Sequence, residues 1–171
     1  MIEPFGGLTP RVDRAAFVHP SAVLIGNVTI GARSSVWPNA TLRGDDGPIA
    51  IGDETSIQDG SVVHMTEGIS TTTIGNRVTV GHNVTLHGCI VEDECIIGMG
   101  AVVLDNAVVE RGSIVGAGAV VAPGKRVAAG TVVVGNPLRV LRLCTDADRE
   151  WIEHSWKAYV ARTEQYASKY L

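Results

Sequence analysis

Nothing in this chain approaches the roughly 18 consecutive apolar residues that a membrane-spanning helix needs, although hydrophobic residues make up 45% of it. The N-terminal stretch lacks a basic segment leading into an apolar one, so no secretory signal is expected. Basic residues are outnumbered: 14 Lys and Arg face 18 Asp and Glu, a formal charge of −4. No basic surface is at hand to neutralise phosphates, which argues against nucleic acid as a partner. Cys89, Cys95 and Cys144 are the only cysteines. Their odd count and spacings match no disulfide framework, and Cys89 and Cys95 are expected to be small buried residues. A soluble, reduced, cytoplasmic protein without a membrane anchor is the expectation. Aromatics reach only 5% and charged residues 19%, while glycine contributes 20 of 171 residues. That is the composition of a β-rich chain with many corners, long enough for one domain with a sizeable core.

What the chain does have is a repeat of six. Leu24, Ile30, Val36 and Leu42 are aliphatic at six-residue steps. After a break come Ile51, Ile57 and Val63, and after a second break Ile74, Val80 and Leu86. One step of five leads to an unbroken run of Val91, Ile97, Val103, Val109, Val115, Val121, Val127 and Val133. Small residues usually sit two positions earlier, as at Ser34, Ala40, Ser61, Ala101 and Ala119, and glycine often follows, as at Gly31, Gly52, Gly75, Gly81, Gly98 and Gly116. A hexapeptide repeat reads as a parallel β-helix: six residues make one flat strand and one corner, and three sides close a triangular coil. The aliphatic positions predict about six coils, with the glycines making the corners. The breaks, "RGDDGPIA" and "HMTEGISTTT", are expected to bulge as loops, where sites tend to be built. Residues 1–16 read as an N-terminal segment, 17–135 as the β-helix, 136–145 as a linker and 146–171 as a helix, all within one domain. Thr145 is the expected N-cap. Trp151, Ile152, Ser155, Tyr159, Thr163, Tyr166 and Tyr170 mark the packed face of that helix. Trp37 reads as packing; His19 and His154 read as bystanders.

The repeat also places three histidines. His64 follows Val63 and His87 follows Leu86, and these aliphatic residues lie one complete coil apart. Their backbones should therefore sit about 4.8 Å apart on one side of the prism, where two imidazoles can share a metal. His82 lies one side earlier. Five extended residues, roughly 16 Å, separate it from His87, and a flat wall cannot close that gap. A third ligand would have to come from another copy, which predicts a ring of three chains with three shared sites. Three neutral imidazoles suit zinc with a fourth position open; Fe(II) or Co(II) fit as well.

With "LRGDD", "IQDGSVVH" and "TVGHNVTLHGC" in order, the chain from about Phe17 to Leu143 resembles the γ-class carbonic anhydrase family of hexapeptide-repeat proteins. The resemblance implies a left-handed all-β helix followed by an α-helix. It also implies a homotrimer that hydrates carbon dioxide to bicarbonate with metal-generated hydroxide. It makes His64, His82 and His87 the metal ligands, with His82 donated across the subunit interface. Gln58 is then the residue that orients the attacking hydroxide. Arg43 and Asp59 become an ion pair between subunits, Asp45 a further interface or active-site acid, and Asn136 the amide that polarises carbon dioxide. The family prototype carries its proton shuttle on a long acidic loop; here "MTEGISTTT" leaves Glu67 or Asp46 as the candidates. Two other readings are open: a metal-dependent thioesterase or acyltransferase-like hexapeptide protein, and a metal-binding trimeric scaffold with little or no activity.

Overall fold

The residues that recur every six positions turn inward and stack in three columns. In the computed structural model, which describes residues 1–170, Leu24 is followed through successive coils by Leu42, Val63, Leu86, Val103 and Val121. Ile30 heads the second column through Ile51, Ile74, Val91, Val109 and Val127. Val36, Ile57, Val80, Ile97, Val115 and Val133 form the third. Every one of them is buried. The result is a left-handed parallel β-helix with a C-terminal helix.

It has about seven turns rather than six. Val18 pairs with Val36 and Val12 with Ile30, so the six-residue step runs back past Leu24. Both valines are only partly buried, because the first coil has a neighbour on one side only. Ile2–Glu3 pairs in parallel with Leu24 and Ile25, adding the N-terminal residues to the same wall. At the other end Arg139–Leu143 turns back and pairs antiparallel with Thr131–Val134.

Two further expectations need correction. "RGDDGPIA" is not a loop. Thr41–Ile51 is one continuous strand, paired with Val23–Ile30 across a register shift between Gly26 and Val28. The extra residues are absorbed as a bulge at the corner, which re-aims the side chains there. Nor do the glycines after the aliphatic residues make the corners: Gly31, Gly52, Gly75, Gly81, Gly98 and Gly116 all lack a positive φ. They are needed because the next coil is too close. A Cβ on Gly98 would lie 2.5 Å from the backbone nitrogen of Ala117. The left-handed residue comes two positions later, at Arg33, Asn39, Glu54, Arg77, Asn83, Glu94 and Asn106 and at several glycines. Asparagine tolerates that conformation better than most side chains; the arginines and glutamates hold it at a cost that the stacked coils must offset.

The helix runs from Asp146 to Tyr170. The Thr145 hydroxyl accepts the Asp148 backbone N–H, while the Asp148 carboxylate accepts that of Thr145, at 3.3 and 2.7 Å. This reciprocal cap fixes where the helix starts. Ile152 and Thr163 are its buried residues. Trp37 packs against it, with ring centroids 4.9 Å from Tyr166 and 5.6 Å from Tyr159. Trp151 does not join that face. It is 59% exposed and stacks on His154, because Ile152, one residue further round, takes the inward position. No described helix is long and apolar enough to cross a membrane. Cys89, Cys95 and Cys144 are buried free thiols, and burial pushes the first two up to about 12.

The core is one residue wide per column, so each aliphatic side chain matters. Leu86 is fully buried between Val63 and Val103. Leu86→Ala should cost about 2–5 kcal/mol, because the neighbouring coils cannot collapse into the gap without breaking register. Urea unfolding followed by circular dichroism would measure it.

Candidate metal centre

Two stacked strands bring two of the three histidines together. Val62–His64 and Thr85–His87 are adjacent and parallel, with His87 directly opposite His64. Nδ1 of His64 and Nε2 of His87 stand 3.3 Å apart. The outer nitrogens have carboxylate partners. Nδ1 of His87 lies 3.2 Å from both oxygens of Asp105. Nε2 of His64 lies 3.1 Å from Asp45 and 3.3 Å from Asp46. An ionised carboxylate only accepts, so the outer nitrogens are placed to donate, and in the neutral rings the inner ones present lone pairs. Two lone pairs facing each other repel unless a cation sits between them. Nitrogens bound at about 2.0–2.1 Å to one tetrahedral ion would stand about 3.3 Å apart. The donor set therefore fits a divalent metal at His64 and His87.

The backbone under these rings is tied down as well. Thr72 donates its hydroxyl to the His64 carbonyl at 2.5 Å and accepts the Gly88 N–H at 2.9 Å. Arg43 donates to Asp45, and its other terminal nitrogen stands 3.4 Å from Nδ1 of His64. Burial alone would raise the Asp45 pKa, but hydrogen bonds from Arg43 and His64 hold it below the usual carboxylate value. Asp105 is likewise held low against burial, chiefly by the Ser70 hydroxyl.

His82 stands apart from this pair within one chain. It lies on a different wall, and its Nδ1 pairs with Asp59 at 3.0 Å. That contact leaves Nε2 as its outward lone pair. Gln58 is 96% buried and lines the same cleft beside His82, Thr79 and Tyr159, a cavity of about 340 Å³ beneath the C-terminal helix. Within one chain, then, Arg43 pairs with Asp45 and Asp59 pairs with His82. Asn136 is exposed in the turn after Thr131–Val134, joined to Pro137 by a cis peptide. Glu67 is exposed at the tip of the turn after His64, and among the described residues it makes no ion pair. Asp46, in contrast, reaches His64 directly.

Asp105, Ser70, Thr66 and Thr72 were not singled out by the sequence. A signal for Asp105 existed: it lies eighteen residues, one coil, after His87. The step that aligned His64 with His87 would have brought it to the same corner.

Known proteins resemble this chain over most of its length. The family model described as "Bacterial transferase hexapeptide (six repeats)" matches residues 71–105 and 88–123. The chain is 50% identical to the mitochondrial γ-carbonic anhydrase 3 of Arabidopsis thaliana over 166 residues, 94% of this chain. It spans 64% of that plant protein's length. It is 40% identical to a carbonic anhydrase of Geobacillus kaustophilus, over 97% of this chain and 91% of the relative. A crystal structure from Bacillus cereus, provisionally described as an acetyltransferase, superposes with a TM-score of 0.96 at 35% identity, covering 98% of this chain and 96% of that one. The likeness to carbonic anhydrases over nearly the whole chain settles the family: the chain belongs to the γ-class carbonic anhydrase family of hexapeptide-repeat proteins, whose relatives at similar identity also include the carnitine operon protein CaiE of Salmonella.

Proposed function

We propose that this protein hydrates carbon dioxide to bicarbonate, at metal sites shared between the copies of a ring of three. The observation that carries the reading is the approach of two ring nitrogens, Nδ1 of His64 and Nε2 of His87, to 3.3 Å, with each outer nitrogen beside a carboxylate. One chain supplies two ligands side by side and turns the third, His82, to another wall. A neighbouring copy presenting His82 would complete the set and leave a fourth position open. Zinc, Fe(II) or Co(II) suits three imidazoles. When bound there, such an ion acidifies water to about neutral pKa and so supplies hydroxide.

The chain's own residues have distinct tasks around that chemistry. Asp105 keeps a proton on Nδ1 of His87, and Asp59 does the same for His82, so that Nε2 of each stays free to bind. Gln58, buried beside His82, would accept a hydrogen bond from the attacking hydroxide with its amide oxygen and so direct the hydroxide's lone pair at carbon dioxide. Asn136, on an exposed turn, offers an amide N–H to the substrate oxygen across the subunit boundary. Asp46, which stands beside His64, or Glu67 at the loop tip carries the released proton outward. Arg43 and Asp59 form a charge pair between copies.

The test is carbon dioxide hydration by stopped flow on protein loaded anaerobically with zinc or with iron. Gln58→Ala should lower kcat/KM about tenfold, the worth of one aligned hydrogen bond. Activity unchanged in both Gln58→Ala and His82→Ala would overturn the reading. The near superposition on a protein provisionally described as an acetyltransferase favours a second reading, an acyl thioester as substrate. Thioester hydrolysis without carbon dioxide hydration would select it.

A further inference from the structure

The short loop after His64 also carries hydroxyl groups that reach the metal centre. Ser70 donates to one oxygen of Asp105 at 2.5 Å, and Thr66 to the other at 3.3 Å. The Ser70 oxygen in turn accepts the Thr66 backbone N–H at 3.2 Å. Each carboxylate oxygen is thus held from the loop side, and each also stands 3.2 Å from Nδ1 of His87. The carboxylate cannot rotate away without losing two donors at once. We propose that Thr66, Ser70 and Asp105 form a clamp that sets the tautomer and orientation of His87, making this loop a positioning device for the metal ligand.

Gly88 supports that assignment. It follows His87 directly and has a φ of +61°. A Cβ there would fall 2.0 Å from the Ser70 hydroxyl oxygen and 2.1 Å from Asp105 Oδ1. Glycine is therefore the residue that leaves room for the clamp. Asp105 comes from the next coil and Ser70 from the insertion, so three separate parts of the chain meet at one carboxylate. Partners of this kind, one shell out from a metal, orient the ligand and raise its basicity.

The inference rests on His87 being a metal ligand, but its test has a readout that needs neither metal nor substrate. Nitrogen-resolved NMR of the metal-free protein reports which ring nitrogen of His87 carries the proton. The wild type should show the proton on Nδ1. Asp105→Asn should shift part of the population to Nε2 and weaken zinc binding about 10- to 100-fold in a competition titration. Ser70→Ala, a milder change on a surface loop, should weaken zinc binding about three- to tenfold, as expected for one lost hydrogen bond to a charged group. Wild-type His87 protonated on Nε2 would overturn the proposal. So would zinc affinities within about twofold of wild type in both folded variants. Absence of carbon dioxide hydration would count against the proposed activity and leave the tautomer result standing.

Discussion

His87→Ala is expected to give a folded protein that has lost its metal. The side chain is 29% exposed at the end of a strand, so its removal opens no cavity in the aliphatic columns. Thermal unfolding should move little, since costs at such positions are usually about 0.5 kcal/mol. Metal binding should respond far more. Losing a partner one shell out already costs up to about 100-fold in affinity, and a ligand itself should cost more than that. Hydration of carbon dioxide should fall with the metal content. Elemental analysis of protein purified under metal-limited conditions, alongside a melting curve, separates the two effects. A full complement of metal in His87→Ala would remove His87 from the site. His64→Ala should behave likewise, with a somewhat larger loss of stability because His64 is buried.

Mixing two inactive proteins should restore activity. A chain with His82→Ala keeps His64 and His87; a chain with His64→Ala and His87→Ala keeps His82. In a ring, each site draws its pair from one copy and its third ligand from the next. Either variant alone has no complete site. Rings assembled at random from equal amounts have the right neighbours at one junction in four, so roughly a quarter of wild-type activity should return. Co-expression with two affinity tags would isolate the mixed rings. Full activity in His82→Ala alone, or none in verified mixed rings, would end the shared-site reading. This result discriminates strongly, because no arrangement confined to one chain can complement.

Much of the fold was written in the period of the aliphatic residues. Once Leu24, Leu42, Val63 and Leu86 are taken as equivalent, the column follows, and His64 must lie beside His87. The same arithmetic kept His82 away from them, since the period places it on another wall. What the period could not give was the form of the interruptions. Counting residues between Leu42 and Ile51 says that the coil is enlarged, but a loop and a bulged strand have the same length. The choice was made by pairing with Val23–Ile30, a contact that local sequence does not encode. The function of the glycines was hidden for a similar reason. Close approach of the next coil and a left-handed turn both favour glycine, and only the φ values tell them apart. Asp105 escaped because carboxylates at corners are common on solvated surfaces. Its one-coil spacing from His87 marks the corner, and Ser70, arriving from the insertion, shows that the carboxylate is held there.

The strand that turns back at the end of the prism, Arg139–Leu143, has a consequence for how the molecule behaves in a crowd. A solenoid of identical rungs is an open-ended template, and an uncovered last rung would invite another molecule to add on and polymerise. Running the final strand in the opposite sense spoils the match with any incoming parallel rung. Arg139 and Arg142 add charge along it, with Arg142 anchored to Asp148 at the start of the helix. Along that wall the reversal acts as a terminator, denying an incoming rung the parallel edge it would need, while Val120–Val121 and Arg126–Val127 end the other two walls.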